Sequence, residues 1–440
     1  MATSIGAAER EEHDRRARSA LKGAFLGFYV DLFDIYLPIV VLAPAIAYFV
    51  SPQLSTSAIA IVSASIFAAT LVGRPLGAAI FGHYADTIGR KRTAIISVAG
   101  FGVATLLIAL LPGYEQLGIV AVILLIALRF VDGIFLGGEY TSANPLAMEY
   151  APREKRGLYS GLIDSAFPLA YATISLITLL LLFLMPSEGI DSAYVQWGWR
   201  IPFVIGALLA FAFVIYYSRT VSESELWQQS DKPEAPLKTL FRGENLKSFL
   251  QVFLLMNGLW LTLQTVAAIL PGVLAETGLS STQVTITLVI AYLVLTPVIV
   301  GAGALSQVTG RRPFLIAVGV TMAILATALY YLIISGAVSG LFWVIVVTSV
   351  VVSIVVCPFA LTPAYVSERF HVGVRASGYG LAYSLAVVLP SFYAFYQAGM
   401  SVFMPFEYTV LALLVIGALL IAVGAAWGPE TKDVEFTAKE

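Results

Sequence analysis

The sequence predicts an all-α membrane protein of twelve transmembrane helices in two pseudo-symmetric six-helix bundles. Three observations carry this. Hydrophobic residues fill 59% of the 440 positions and charged residues only 12%, against about 25% charged in a soluble domain. Twelve apolar runs reach roughly the 20 residues needed to cross about 30 Å of hydrocarbon. One motif also occurs twice, half a chain apart. Gly82-x-x-x-Asp86-x-x-Gly89-Arg90-Lys91-Arg92 returns as Gly303-x-x-x-Gln307-x-x-Gly310-Arg311-Arg312, offset by 221 residues. A second pair echoes the first: Glu149 to Arg156 and Glu368 to Arg375, each seven apart, offset by 219. Two copies of one unit in an apolar chain is how many secondary transporters are built.

Taken in order, residues 1–22 are charged and read as a cytoplasmic tail. They lead into an apolar run too long for a signal peptide, so no cleavable signal is expected. The spans lie near 24–50, 57–81, 93–112, 117–148, 157–185 and 201–218, then 248–274, 281–305, 313–335, 340–366, 376–400 and 406–427. The two bundles are therefore 23–218 and 248–427. Between them, 219–247 holds Arg219, Lys232, Lys238, Arg242 and Lys247 with Pro233 and Pro236, and reads as a cytoplasmic linker. Its short amphipathic stretch Ser224–Gln228 is expected on the membrane surface. The tail 428–440 is polar and expected to be loose.

Basic residues set the orientation. With the N-terminus inside, inside segments hold 22 of the 25 Lys and Arg, outside loops hold only Arg200, and Arg74 and Arg129 remain in the spans. The expected location is the cell (inner) membrane, multi-pass, with both termini cytoplasmic.

A net charge of −2 gives no footprint for nucleic acid, and the single cysteine, Cys357, allows no disulfide within the chain. His13, His83 and His371 fall on cytoplasmic segments and stand near no candidate nucleophile or second metal ligand. No zinc-protease, nucleophile-elbow or phosphate-loop motif occurs. An enzyme, a metal site and an organic cofactor are therefore not expected. A small-molecule substrate and the lipid bilayer are the expected partners, and a monomer is the expected state.

Four stretches carry a family resemblance. They are Gly27-x-x-x-Asp31-x-Phe33-Asp34 in the first span and Gly73-Arg74-Pro75-Leu76-Gly77 in the second. The fourth span has Arg129-x-x-Asp132-Gly133-x-x-x-Gly137-Gly138-Glu139-Tyr140, and Trp197-Gly198-Trp199-Arg200-Ile201-Pro202-Phe203 precedes the sixth. With the loop motif, they resemble the metabolite:proton symporters of the major facilitator superfamily, the group of α-ketoglutarate, citrate, shikimate and proline/betaine carriers. The chain departs from that group at Asp31 (usually Glu), Phe28 (Asn), Leu32 (Trp) and Gln307 (acidic). The resemblance implies proton-coupled symport by alternating access, with the proton as coupling ion.

Charge inside hydrocarbon normally faces a cavity or a partner. The candidates are Asp31, Asp34, Arg74, Arg129, Asp132, Glu139 and Asp164, all in the first half. That half reads as the coupling half and the second as the neutral, shape-reading half. Asp31 and Asp34 share a helix face, and Arg129, Asp132 and Glu139 fall within about 80° of arc. The resemblance pairs Asp34 with Arg129. Proton coupling is expected at Asp34, Asp31, Arg129 and Glu139, although a static interhelical tie uses the same pairs. Asp132 is open between pairing within its helix and touching substrate, Glu139 between a proton relay and a helix-end tie, and Asp164 between cavity and interface.

Arg74 reads as a carboxylate ligand, since a guanidinium binds carboxylate through two parallel hydrogen bonds. Its alternative is a gate near the inner mouth. The second half offers Asn257, Trp260 and Gln264 on one face of span 7, Cys357 and Tyr365 on span 10, and Tyr379, Tyr383, Tyr393 and Gln397 on one face of span 11. About two of these nine are expected to touch ligand.

Gly82, Asp86, Gly89, Arg90 and Arg92, with Glu149 and Arg156, form an expected conformational latch; Arg311, Arg312, Glu368 and Arg375 form its second copy. Asp86 is expected at a helix N-terminus, and Gln307 makes the second copy uncharged. A drug/proton antiporter is the nearest rival, but span 5 (Gly157 to Tyr171) lacks that group's Gly-Pro pair. An uncoupled facilitator is a further alternative.

Overall fold

In lipid a backbone satisfies its N–H and C=O groups within helices or closed barrels, and the apolar runs of this chain are too long for barrel strands. The computed structural model describes residues 7–230 and 235–437, and these contain helices and no strand. Lys232 and Pro233 of the linker, residues 1–6 of the first tail and 438–440 of the last lie outside the described residues.

Among the described residues, twelve helices are long and apolar enough to cross a membrane. Spans 1 to 6 are Glu11–Val40, Ile61–Thr87, Arg90–Ala109, Ile119–Tyr150, Arg153–Leu184 and Tyr194–Thr220. Spans 7 to 12 are Gly243–Glu276, Ser281–Thr309, Arg311–Ile334, Leu341–Glu368, Val372–Met400 and Phe406–Trp427. Span 4 packs along spans 2 and 3, and span 12 packs along spans 7 and 9. The two halves meet where span 2 lies on span 11 and span 5 on span 8.

Glycine positions the charged spans. A Cβ on Gly137 of span 4 would collide with the carbonyl oxygen of Arg74, so the backbones of spans 2 and 4 touch where Arg74 leaves its helix. Each loop motif turns on a glycine at positive φ, Gly89 at 116° and Gly310 at 99°, a region closed to most side chains.

Three expectations are corrected. Span 1 ends at Val40, not near residue 50, and a short 3₁₀ turn at Ala43–Tyr48 follows it. Toward the N-terminus it begins earlier: the helix runs from Ala7, with Ala17 and Ala20 buried, so most of the charged tail continues span 1. The helix Glu225–Gln229 does not lie out on the membrane surface. Ser224 caps it by accepting from Trp227 N–H at 3.1 Å, and the buried Trp227 indole donates to the carbonyl of Asp86 at 2.9 Å. The C-terminal tail is not loose over its described part, because residues 430–436 are docked onto both halves as described below.

Several spans are interrupted near mid-depth. Span 5 breaks after Asp164, span 7 widens into a π-turn at Thr265–Ile269, and span 10 tightens to 3₁₀ at Cys357–Leu361 beside Pro358. Span 11 stops at Leu385 and restarts through Pro390–Phe392. Proline removes a donor and clashes with the preceding turn, which accounts for the last two.

Candidate functional site

Apart from Asp164, the candidate charges within the first-half spans form a cluster of two ion-paired groups and an unpaired Glu139. Arg129 Nη1 lies 2.9 Å from Asp34 and 2.9 Å from Asp132, the latter one turn along its own helix. Thr105 of span 3 donates its hydroxyl to the other oxygen of Asp34. Asp31 does not pair with Arg129; it contacts Arg74 Nη2 at 3.3 Å. Arg74 lies 4.6 Å over the Tyr140 ring, and its Nε and Nη1 have no hydrogen-bond partner. Glu139, a turn beyond Leu136 on span 4, is wholly buried, and neither oxygen finds a partner. It is eleven residues short of Tyr150, roughly 16 Å at 1.5 Å per residue. A helix-end tie is therefore not what Glu139 makes.

Four carboxyls (Asp31, Asp34, Asp132, Glu139) thus face two guanidiniums (Arg74, Arg129). Neutralising the cluster requires two protons on those carboxyls.

Beside this cluster, between the halves, is a narrow cavity. The first half contributes Phe28, Leu32, Ile35 and Tyr36 from span 1, Phe67 and Leu71 from span 2, and Asp164 and Phe167 from the break in span 5. The second half contributes Trp260 and Gln264 of span 7, Phe359 of span 10 and Tyr383 of span 11. Asp31, Asp34, Arg74, Arg129 and Asp132 lie behind this wall rather than in it.

Of the nine second-half candidates, Trp260, Gln264 and Tyr383 line the cavity. Tyr379 accepts from Asn144 at 2.9 Å and sits one ring back, 6.0 Å from Tyr383. Asn257 donates to Phe253 C=O in its own helix. Tyr365 accepts from Gln251 beside Gly428, far along span 10. Tyr393 lines a separate void with Pro38 and Ile39, and Gln397 bonds Thr409. Neither joins Tyr383 on one face, because the break before Pro390 resets the helical phase of span 11. Cys357 lies in the turn preceding Phe359 and is buried. Asp164, left open between cavity and interface, is at both: its carboxylate accepts from Thr362 of span 10 at 3.4 Å.

On the linker side the loop motifs cross between halves. Asp86 accepts from Ala376 N–H at 3.1 Å, Ser377 N–H at 2.9 Å and the Ser377 hydroxyl at 2.7 Å, at the start of the helix Arg375–Leu385. Gly82 packs on the Ser377 backbone. Arg90 and Arg375 both pair with Glu149, and Arg90 also donates to Val372 C=O at 3.0 Å. In the second copy Gln307 accepts from Gly157 N–H at 3.0 Å, and Arg311 contacts Glu368 at 3.3 Å. Arg312 turns outward, donating to Ala426 C=O at 2.9 Å, and Arg92 is exposed.

Sequence reading missed the groups that lock these loops. Glu223 accepts from Arg90 and Lys91 N–H at 3.1 and 3.0 Å, and Glu430 accepts from Arg311 and Arg312 N–H at 2.9 and 3.0 Å. Partial burial works to raise the Glu430 carboxyl, but the N–H groups of Lys432, Arg311, Arg312 and Thr431 outweigh it and hold it below its ordinary value. The signal was present: Glu223-Ser224 and Glu430-Thr431 follow spans 6 and 12 at a common offset of 207. Beyond Glu430 the tail crosses to the first half. Arg156 donates to Val434 C=O at 2.5 Å, and Phe436 lies 3.6 Å from the Arg156 guanidinium and 3.9 Å from that of Arg375. The linker side is thus shut.

Comparison with known proteins agrees with this architecture. The Major Facilitator Superfamily model matches residues 24–389. An inner membrane metabolite transport protein of Escherichia coli is 29% identical over 391 residues, 86% of each chain. The alpha-ketoglutarate permease of the same organism is 30% identical over 391 residues, 84% of each. Among solved structures, the proton:xylose symporter XylE bound to 6-bromo-6-deoxy-D-glucose superposes with a TM-score of 0.72 at 20% identity, over 97% of this chain and 98% of that one. At that identity the likeness speaks for the fold.

Proposed function

We propose that this chain, a metabolite transporter that belongs to the major facilitator superfamily, couples uptake of a small organic anion or zwitterion to the proton gradient by alternating access. It is a transporter and not an enzyme. The observation that carries the reading is the buried cluster of four carboxyls and two guanidiniums beside the central cavity. Arg129 is shared by Asp34 and Asp132, so a small rotation of span 1 against span 4 frees one carboxylate to take a proton. Arg74 retains two unpartnered donors, Nε and Nη1, and can offer a two-donor edge to a carboxylate once protonation of Asp31 releases Nη2.

The shut linker side belongs to one half of the cycle. Rocking the halves about the site breaks Asp86–Ser377, Glu149–Arg375 and Gln307–Gly157 together and opens that side. The basic residues favour that side as cytoplasmic, with both termini there and the protein in the inner membrane.

The test is proton movement on purified protein in liposomes. A metabolite panel is first scored by thermal stabilisation, since a ligand preferring the native state raises stability. Inward addition of a stabilising compound should then acidify the lumen. A stabilising compound that enters with no pH change supports the uncoupled facilitator; one that alkalinises the lumen on entering supports the antiporter.

A further inference from the structure

We infer that the cavity selects a zwitterion, and that the Asp164 carboxylate holds its alkylammonium end against the aromatic wall. This rests on the uptake reading above and decides between the two substrate classes it names.

Asp164, like Glu139, lacks the cationic partner that the other buried carboxyls have. Asp31, Asp34 and Asp132 face guanidiniums, Glu149 and Glu368 pair with arginines, and Asp86 receives three donors. Asp164 is as deeply buried, yet its contact is the 3.4 Å bond from Thr362, and no arginine or lysine pairs with it among the described residues. It is also the carboxylate that lines the cavity, and no lysine or arginine lines it. A buried carboxyl with no cation beside it either takes up a proton or bears the cost of an uncompensated charge. A ligand cation removes that cost, whereas a simple anion placed beside it adds repulsion.

The remaining wall suits the same ligand. Tyr36, Phe167, Trp260 and Tyr383 present rings to the cavity, and the faces of such rings attract ammonium groups within about 6 Å. Tyr36 and Phe167 are held in place from behind: Tyr36 meets Tyr171 at 5.2 Å, Phe167 meets Tyr292 at 5.5 Å, and Tyr171 and Tyr292 lie 4.2 Å apart. These last two rings come from opposite halves, so the cage is complete only when the halves are together. Arg74 lies behind this wall, 4.6 Å over the Tyr140 ring, so the ligand's carboxylate end meets its donors only when Tyr140 and Tyr383 give way. A cation at Asp164 and an anion at Arg74 read one molecule by both ends.

The experiment uses purified full-length protein and pairs of ligands that differ only in a nitrogen replaced by carbon. The pairs are trimethylglycine with 3,3-dimethylbutanoate, and 4-(trimethylammonio)butanoate with 5,5-dimethylhexanoate. Binding is read by calorimetry, which needs no proton gradient, so failure here is separable from failure of proton coupling. In at least one pair the zwitterion should bind about tenfold or more tightly than its anionic isostere, a difference of about 1.4 kcal/mol. Asp164→Asn should bring the members of that pair within about threefold of one another, and Asp164→Glu should keep the preference. If Asp164→Asn does not fold, the Glu variant and the wild-type pairs still decide. Equal or tighter binding of the anions, no binding within either pair, or a preference that survives Asp164→Asn would each overturn the inference.

Discussion

The carboxylate of Asp86 takes the backbone N–H and the hydroxyl of Ser377 at 2.9 and 2.7 Å, across the boundary between the halves and 291 residues along the chain. The matching position of the second loop, Gln307, also crosses the boundary, but accepts there from one backbone N–H, that of Gly157, at 3.0 Å, its other donor being Arg311 of its own half at 2.8 Å. The two loops therefore do the same mechanical task with unequal strength. A charged acceptor with three donors is the stronger clasp.

Loss of the charge should therefore be felt on one side only. Asp86→Asn should slow initial uptake into liposomes by about tenfold or more, whereas Gln307→Asn should stay within about threefold, the former being about 1.4 kcal/mol. Equal and severe losses would mean that both loops act by shape.

Arg74 offers a second test. Arg74→Lys keeps the charge but loses the planar fork, so affinity for a confirmed substrate carrying a carboxylate should fall about tenfold while the protein stays folded. Arg74→Ala strands Asp31 in the interior and should cost about 3–5 kcal/mol of stability. Unchanged affinity in Arg74→Lys would remove Arg74 from the substrate's path.

The C-terminal clasp makes a third prediction, and the single native cysteine reports on it. Cys357 is buried two residues before Phe359, which lines the cavity. Phe436→Ala removes the ring lying between Arg156 and Arg375 and should speed Cys357 labelling by a permeant maleimide, because the linker side opens more often. An unchanged rate would show that the ring adds nothing to closure.

Much of this was legible in the sequence, for physical reasons. Span number follows from hydrocarbon thickness and the repeat from motif spacing, whereas the cost of buried charge left Asp31 and Asp34 both open to Arg129 and the family resemblance singled out Asp34. Helix phase was not legible past a break: Tyr393 and Gln397 seemed to share a face with Tyr383 until Pro390 interrupted the helix. Tyr36, Phe167 and Thr105 were invisible because an aromatic or threonine in an apolar run looks the same whether it lines a cavity or packs against a helix. The docking of residues 430–436 was hidden by their polarity, which says nothing about what a segment touches.

Orientation is directly testable. Glu188→Cys, in the exposed loop before span 6, should label from outside intact cells, and Glu244→Cys, 85% exposed at the start of span 7, should not. Efficient outside labelling at Glu244→Cys would invert the topology.

The most direct measurement is on Asp34, which contacts Arg129 at 2.9 Å and accepts from Thr105. Asp34→Asn keeps size and some hydrogen bonding but cannot take up a proton. Wild type and variant in liposomes are compared for accumulation driven by a pH gradient and for substrate exchange at equal pH. The account predicts that accumulation vanishes in the variant while exchange survives, because binding and rocking need no net proton movement. Continued uphill accumulation would place the proton elsewhere, and loss of exchange as well would make Asp34 a binding or structural residue; either result contradicts the account.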